Sequence, residues 1–129
     1  MSEALANPVS WFEIYVDDMP RAMSFYEAVF QVSLESITDP TDDSVQMYGF
    51  PSDMHGYGAS GALVKMEGMA AGGNSTLVYF SCKDCAVEES RIVDAGGLVE
   101  KSKMSIGEYG FVSIVIDTEG NCFGLHSLA

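Results

Sequence analysis

The chain repeats itself. Residues 11 to 34, WFEIYVDDMPRAMSFYEAVFQVSL, and residues 77 to 100, LVYFSCKDCAVEESRIVDAGGLVE, align without a gap at an offset of 66 positions. Both stretches begin with strand-forming residues, reach an aspartate, and continue with helix-compatible residues for about a dozen positions. Asp18 falls on Asp84. An aspartate at that junction caps a helix by accepting hydrogen bonds from the first free backbone N–H groups, and its charge suits the positive end of the helix dipole. In the first copy Met19, Ala22, Met23, Tyr26, Val29 and Phe30 recur at three- and four-residue spacing, an apolar stripe suited to packing on a sheet. Pro20 sits in the first turn, where its missing N–H costs nothing. The second copy keeps Ile92 and Ala95 but places Glu88 and Glu89 where the first has Ala22 and Met23, so the repeat is imperfect. Gly96 and Gly97 end that second helix.

Three strand candidates follow each helix: VSLESI, SVQMYGF and ASGALVKME in the first half, LVEKSK, GEYGFVSIVID and NCFGLHS in the second. Turn chemistry separates them at TDPTDD, FPSDMHGYG, SIG and DTEGN. The sequence therefore predicts one α+β domain over residues 1–129. It holds a first βαβββ module over 10–66, a glycine-rich linker over 67–75 and a second βαβββ module over 76–127. Two such half-sheets, each covered on one side by its helix, form a curved mixed sheet whose open face makes a cup. A concave sheet face is a natural ligand site.

Composition narrows the function classes. Nineteen acidic residues against six basic ones give a formal charge of −13, and the basic residues are scattered singly. A nucleic-acid surface needs a basic stripe to displace counterions, so nucleic acid is not expected as a partner. No apolar run approaches the roughly 20 residues of a membrane span, and no membrane partner is expected. MSEALANP carries neither a basic segment nor an apolar core, which points to the cytoplasm. The odd set Cys82, Cys85 and Cys122 is expected to stay reduced. CKDC has Cys-x-x-Cys spacing at a strand-to-helix junction, but Cys82 replaces the apolar Val16 of the other copy and reads as a small buried residue. No glycine pattern that cradles phosphate is present.

WFEIYVDDMPRAMSFYEAVF and DTEGNCFGLHS, supported by YGASGALVKMEG and DAGG, resemble the opening strand and helix and the closing hairpin of the vicinal oxygen chelate superfamily. That family includes glyoxalase, bleomycin-resistance proteins and extradiol dioxygenases, and the resemblance covers nearly the whole chain. It implies the glyoxalase/bleomycin resistance/dihydroxybiphenyl dioxygenase-like fold and a homodimer. In metal-dependent members, four ligands drawn from His, Glu and Gln hold a divalent cation that polarises substrate oxygens. Carried over by resemblance, those positions fall on Trp11, Ala62, Leu77 and Gly124, none of which can ligate through its side chain. The expectation is a chain with no metal and no cofactor.

Side chains alternate along a strand, so residues two apart share a face. With Trp11 turned into the cup, Glu13 and Tyr15 follow it, Leu77 and Tyr79 line the matching strand, Ala62 and Val64 the fourth, and Gly124 and His126 the last. Tyr48 and Phe50 add a possible aromatic platform. Phe12, Ile14 and Val16 go to the core. Glu13 would then be a buried carboxylate beside an aromatic floor, fitted to be a general base or a binding anchor, or else a packing group bonded to Tyr79, His126 or the backbone. His126 would be its partner or a half-exposed surface residue. His55, with Met54 and Tyr57, lies in a loop that reads as ordinary surface or as a lid. Three functions remain: binding of a small apolar or aromatic molecule in the cup, a lyase or isomerase using Glu13 as base, and a metal-dependent lyase or dioxygenase with displaced ligands.

Overall fold

A computed structural model describes residues 7–38, 44–53 and 55–129. Met54 and most of the TDPTDD turn lie outside the described residues. The first module runs β1 (Phe12–Tyr15), α1 (Met19–Phe30), β2 (Glu35–Ser36), β3 (Gln46–Gly49) and β4 (Gly61–Lys65). The second runs β5 (Tyr79–Ser81), α2 (Cys85–Glu89), β6 (Leu98–Ser105), β7 (Phe111–Ile116) and β8 (Cys122–Ser127), with a 3₁₀ turn at Gly107–Tyr109. Each module folds into its own four-stranded sheet, in the orders β1-β4-β3-β2 and β5-β8-β7-β6. In each, the strand before the helix pairs parallel to the last strand and the rest pair antiparallel. The tandem βαβββ fold thus stands as the repeat indicated, although no ladder joins the two sheets among the described residues.

Both capping aspartates do what the repeat implies. Asp18 accepts from the backbone N–H of Arg21 and Asp84 from that of Ala86, each at 3.0 Å, with both aspartates in extended conformation. The helices then differ. α1 is a twelve-residue helix that buries Met19, Ala22, Phe25, Tyr26 and Val29. α2 is regular for only five residues, shorter than the sequence suggested, and continues as turns with three-residue bonds such as Arg91 N–H to Glu88 O at 3.0 Å and Ile92 N–H to Glu89 O at 3.1 Å. Val87, Ser90, Ile92, Val93 and Asp94 favour a helix less than the Ala- and Met-containing first copy, and only part of the apolar stripe remains to anchor it.

The core lies between the helices and the sheets. Phe25 and Tyr26 of α1 reach across to the second module, where the Phe25 and Phe123 rings meet edge to face at 6.1 Å and Phe123 also lies 5.4 Å from Tyr26. Each fully buried side chain of this size contributes about 1.5–3 kcal/mol. The polar tie between the modules is the turn from Asp117 to Asn121. Tyr26 donates its hydroxyl to Asp117 Oδ2 at 2.6 Å, and Asn121 Nδ2 donates to the Tyr15 carbonyl at 2.9 Å. Glu119, whose side chain is fully buried, accepts from the backbone N–H groups of Asp17 and Asp18 and from the Arg21 guanidinium at 2.6 and 3.0 Å. Burial by itself would raise the Glu119 carboxyl pKa, yet the Arg21, Thr118 and backbone donors outweigh it and hold the value at about 2.

The CKDC motif sits where β5 meets α2. Cys85 is fully buried and Cys82 half-buried, and neither is in a disulfide. Burial, and then the neighbouring Glu88 carboxylate, push the Cys82 thiol up to about 12. A redox-active thiol needs the opposite shift.

Two tests arise from these contacts. Glu119→Gln should cost about 2 kcal/mol in urea unfolding at neutral pH, since it removes charge-assisted hydrogen bonds from a buried group. The folded value lies below the ordinary 4.5, so this stabilisation is complete above about 4.5 and fades as pH falls toward about 2. The wild-type chain should therefore lose more stability than the variant across that interval, and parallel curves would refute the assignment. At mildly alkaline pH, iodoacetamide should label Cys82 at least about a hundredfold more slowly in the native than in the urea-unfolded chain, read by mass spectrometry. Equal rates would show that the thiol is not held as described.

Candidate ligand site at the seam between the modules

β1 and β5 are edge strands of separate sheets, and aromatic rings fill the seam between them. Phe12 and Phe80 meet edge to face at 5.7 Å, Phe30 stacks on Phe80 at 4.5 Å, and Phe50 lies 5.4 Å from Phe80. Two cavities border these rings. A cavity of about 920 Å³ is lined by Phe12, Phe30, Phe50, Val78 to Cys82, Glu88, His126 and the loop around Gly56 to Ser60. A second of about 300 Å³ lies among Phe12 to Tyr15, Asn74, Thr76, Val78 and Asn121 to Phe123. Phe12 and Val78, partners under the 66-residue offset, border both.

The strand parity read from the sequence matches the register for most candidates. Glu13 pairs across to Ala62 and Tyr15 to Val64, while Tyr79 pairs with Gly124 and Ser81 with His126. Trp11, Glu13 and Tyr15 form one hydrogen-bonded group: the indole N–H donates to Glu13 Oε2 at 3.3 Å and the Tyr15 hydroxyl to Oε1 at 2.8 Å. The bond to Glu13 raises the Tyr15 pKa, and slight burial adds to it, so that hydroxyl keeps its proton. A carboxylate has about four lone-pair sites, so Glu13 is held in place with acceptor capacity to spare. Tyr79 lies over Gly124, where an added Cβ would come within 2.3 Å of the tyrosine ring. The ring fills the space a larger side chain would need.

Three expectations change. Glu13 is exposed, not buried, on the short edge strand β1. Its partners are its own strand neighbours, whereas His126 Nε2 donates to the Tyr109 carbonyl at 2.7 Å. Tyr48 faces the other way: it pairs with fully buried Leu63 and packs against the core. His55 and Tyr57 are exposed, and Tyr57 borders the larger cavity. Sequence reading did not place the cavity walls Phe30 and Phe80 or the polar pair Cys82 and Glu88. The one signal for the last was an acid standing in an apolar stripe.

Trp11, Ala62, Leu77 and Gly124 supply no ligating side chain, and among the described residues no group of three or more His, Cys, Asp or Glu side chains could hold an ion. No helix among the described residues is long and apolar enough to cross a membrane.

Solved structures of the same fold include a glyoxalase-related enzyme from Fulvimarina pelagi at 16% identity and TM-score 0.67, covering 95% of this chain and 88% of that one. TnmS3, an antibiotic binding protein from Streptomyces sp. CB03234, is 20% identical at TM-score 0.65, with 98% and 100% covered. Glyoxalase I from Zea mays matches 91% of this chain at 16% identity and TM-score 0.70, but the match spans only 43% of the maize chain. No curated protein matches the sequence. The family model described as Glyoxalase/Bleomycin resistance protein/Dioxygenase superfamily matches residues 9–124. Given that match over nearly its whole length and the paired modules described above, the chain belongs to the Glyoxalase/Bleomycin resistance protein/Dioxygenase superfamily.

Proposed function

We propose that this chain binds a small apolar or aromatic molecule along the seam between its modules, without a metal ion. The observation that carries this reading is the larger cavity, about 920 Å³ and walled by aromatic rings, which falls in the size range of sites for small organic ligands. Trp11, Tyr15, Tyr79 and Leu77 extend the apolar surface onto the concave face, with Ala62, Val64 and Gly124 keeping the floor low. Glu13 supplies a hydrogen-bond acceptor there. The antibiotic-binding role of TnmS3 shows that a chain of this fold can serve as a binder, which supports the reading without identifying the molecule. A homodimer belongs to it, since exposed Trp11, Leu77 and Tyr79 offer apolar area that a second copy could partly cover. The free thiols accord with a reducing cytoplasm.

The second reading, a lyase or isomerase, draws on the exposure of Glu13 and the Tyr15 hydroxyl beside it, a carboxylate and a proton donor within reach of solvent. His126 is no longer needed for it. The two readings separate experimentally. A metabolite-binding screen on the purified chain should return an aromatic or apolar compound. In Tyr79→Ala, which removes a ring lining the larger cavity, its affinity should weaken by about three- to thirtyfold, the range for losing one aromatic contact. Glu13→Gln should then alter affinity if the chain is a binder. Unchanged affinity with lost conversion of the bound compound would establish Glu13 as a catalytic base.

A further inference from the structure

Glu88 stands where the first helix has the fully buried Ala22. It lines the larger cavity beside Cys82, and its Oε1 is buried with no hydrogen-bond partner among the described residues. Nearby cations are committed elsewhere: Lys103 pairs with Asp84 at 2.8 Å and Arg91 donates to the Val29 carbonyl at 3.0 Å. No lysine or arginine is among the described residues lining the cavity, whereas Asp53 and Glu88 are.

Several of the remaining polar groups are already engaged, although the hydroxyls of Tyr57, Tyr79 and Ser81 also line the cavity. His126 Nε2 spends its proton on the Tyr109 carbonyl. The Cys82 thiol lies 3.6 Å from the Phe80 carbonyl and within hydrogen-bond reach of the Glu88 carboxylate, and the Ser127 hydroxyl donates to the Ala129 carbonyl at 3.0 Å. Phe12, Phe30, Phe50 and Phe80 present aromatic surface, whose ring faces attract cations. A cavity whose only charged side chains among the described lining are carboxylates, set among aromatic rings, favours a ligand that brings positive charge.

We propose that the larger cavity takes a molecule with an aromatic or alkyl body and a protonated amine, the amine seated on the Glu88 carboxylate. This rests on the reading of the cavity as a ligand site and names the ligand's chemical class. The last torsion of a glutamate is broad and nearly twofold, so a small rotation brings the unpartnered oxygen to the cavity. An ammonium has three donors to satisfy it. The net charge of −13 draws such a cation toward the protein from solution.

The test compares naphthylmethylamine with the neutral naphthylmethanol at neutral pH, titrated against the intact chain and followed by amide chemical shifts. The amine should bind about tenfold more tightly, the fold-change of one hydrogen bond to a charged group, with shifts at Cys82 and Glu88. In Glu88→Gln the ratio should fall to about one, by the same reasoning, while the alcohol binds as before. Equal affinities in the wild-type chain would overturn the amine proposal and leave the ligand site standing. Failure of both probes to bind at millimolar concentration would overturn the two together. A preference that survives Glu88→Gln, or disappears in Glu13→Gln instead, would move the charge recognition to the other carboxylate and overturn it. Should Glu88→Gln fail to fold, amine-specific shifts centred on Glu13 in the wild-type chain would do the same.

Discussion

One buried carboxylate holds the two halves together. Glu119 sits in the last turn of the second module, yet every strong donor it accepts from beyond that turn belongs to the start of the first helix: the N–H groups of Asp17 and Asp18 and the guanidinium of Arg21. A carboxylate taken out of water is tolerated only when its lone pairs are filled, so the turn and the helix start must approach in one way. Asp117 and Asn121 extend the same tie to Tyr26 and to the Tyr15 carbonyl. The placement of β1 against the second sheet, and hence the shape of the seam, follows from this turn.

With position fixed by polar contacts at one end, the seam itself is closed by rings and not by a ladder. Two edge strands that do not pair leave a boundary that only side chains can fill. Phe12, Phe30, Phe50 and Phe80 do so at centroid distances from 4.5 to 5.8 Å. Two cavities border the rings, and Phe12 and Val78 line both. The repeats have diverged: Val16 and Ala22 correspond to Cys82 and Glu88, and of these four only Cys82 and Glu88 line a cavity. The chemistry is concentrated where the repeat breaks down.

Much of the architecture was legible because its signals are local. A helix cap is a relation between one aspartate and the next three residues, and an amphipathic stripe is a relation within a dozen. Both survive in Asp18, Asp84 and α1. Alternation likewise placed Glu13, Tyr15, Ala62 and Val64 on one face, as the register bears out. Tyr48, expected with Phe50 in an aromatic platform, instead pairs with buried Leu63 and packs on the core, because an aromatic residue type by itself does not say which face of a strand it takes. Alternation overstated the burial of Glu13, since a face is a direction and burial depends on what lies above it.

The sequence alone therefore determined the repeated modules and the faces of the well-ordered strands. These depend on residue type and short-range periodicity. Only the tertiary structure decided that Glu13 is held by Trp11 and Tyr15, that His126 turns to the Tyr109 carbonyl, and that Glu88 borders a cavity with an oxygen unpaired. Each of these depends on which distant segments meet across the seam, and no local pattern encodes the angle at which two packed sheets come together.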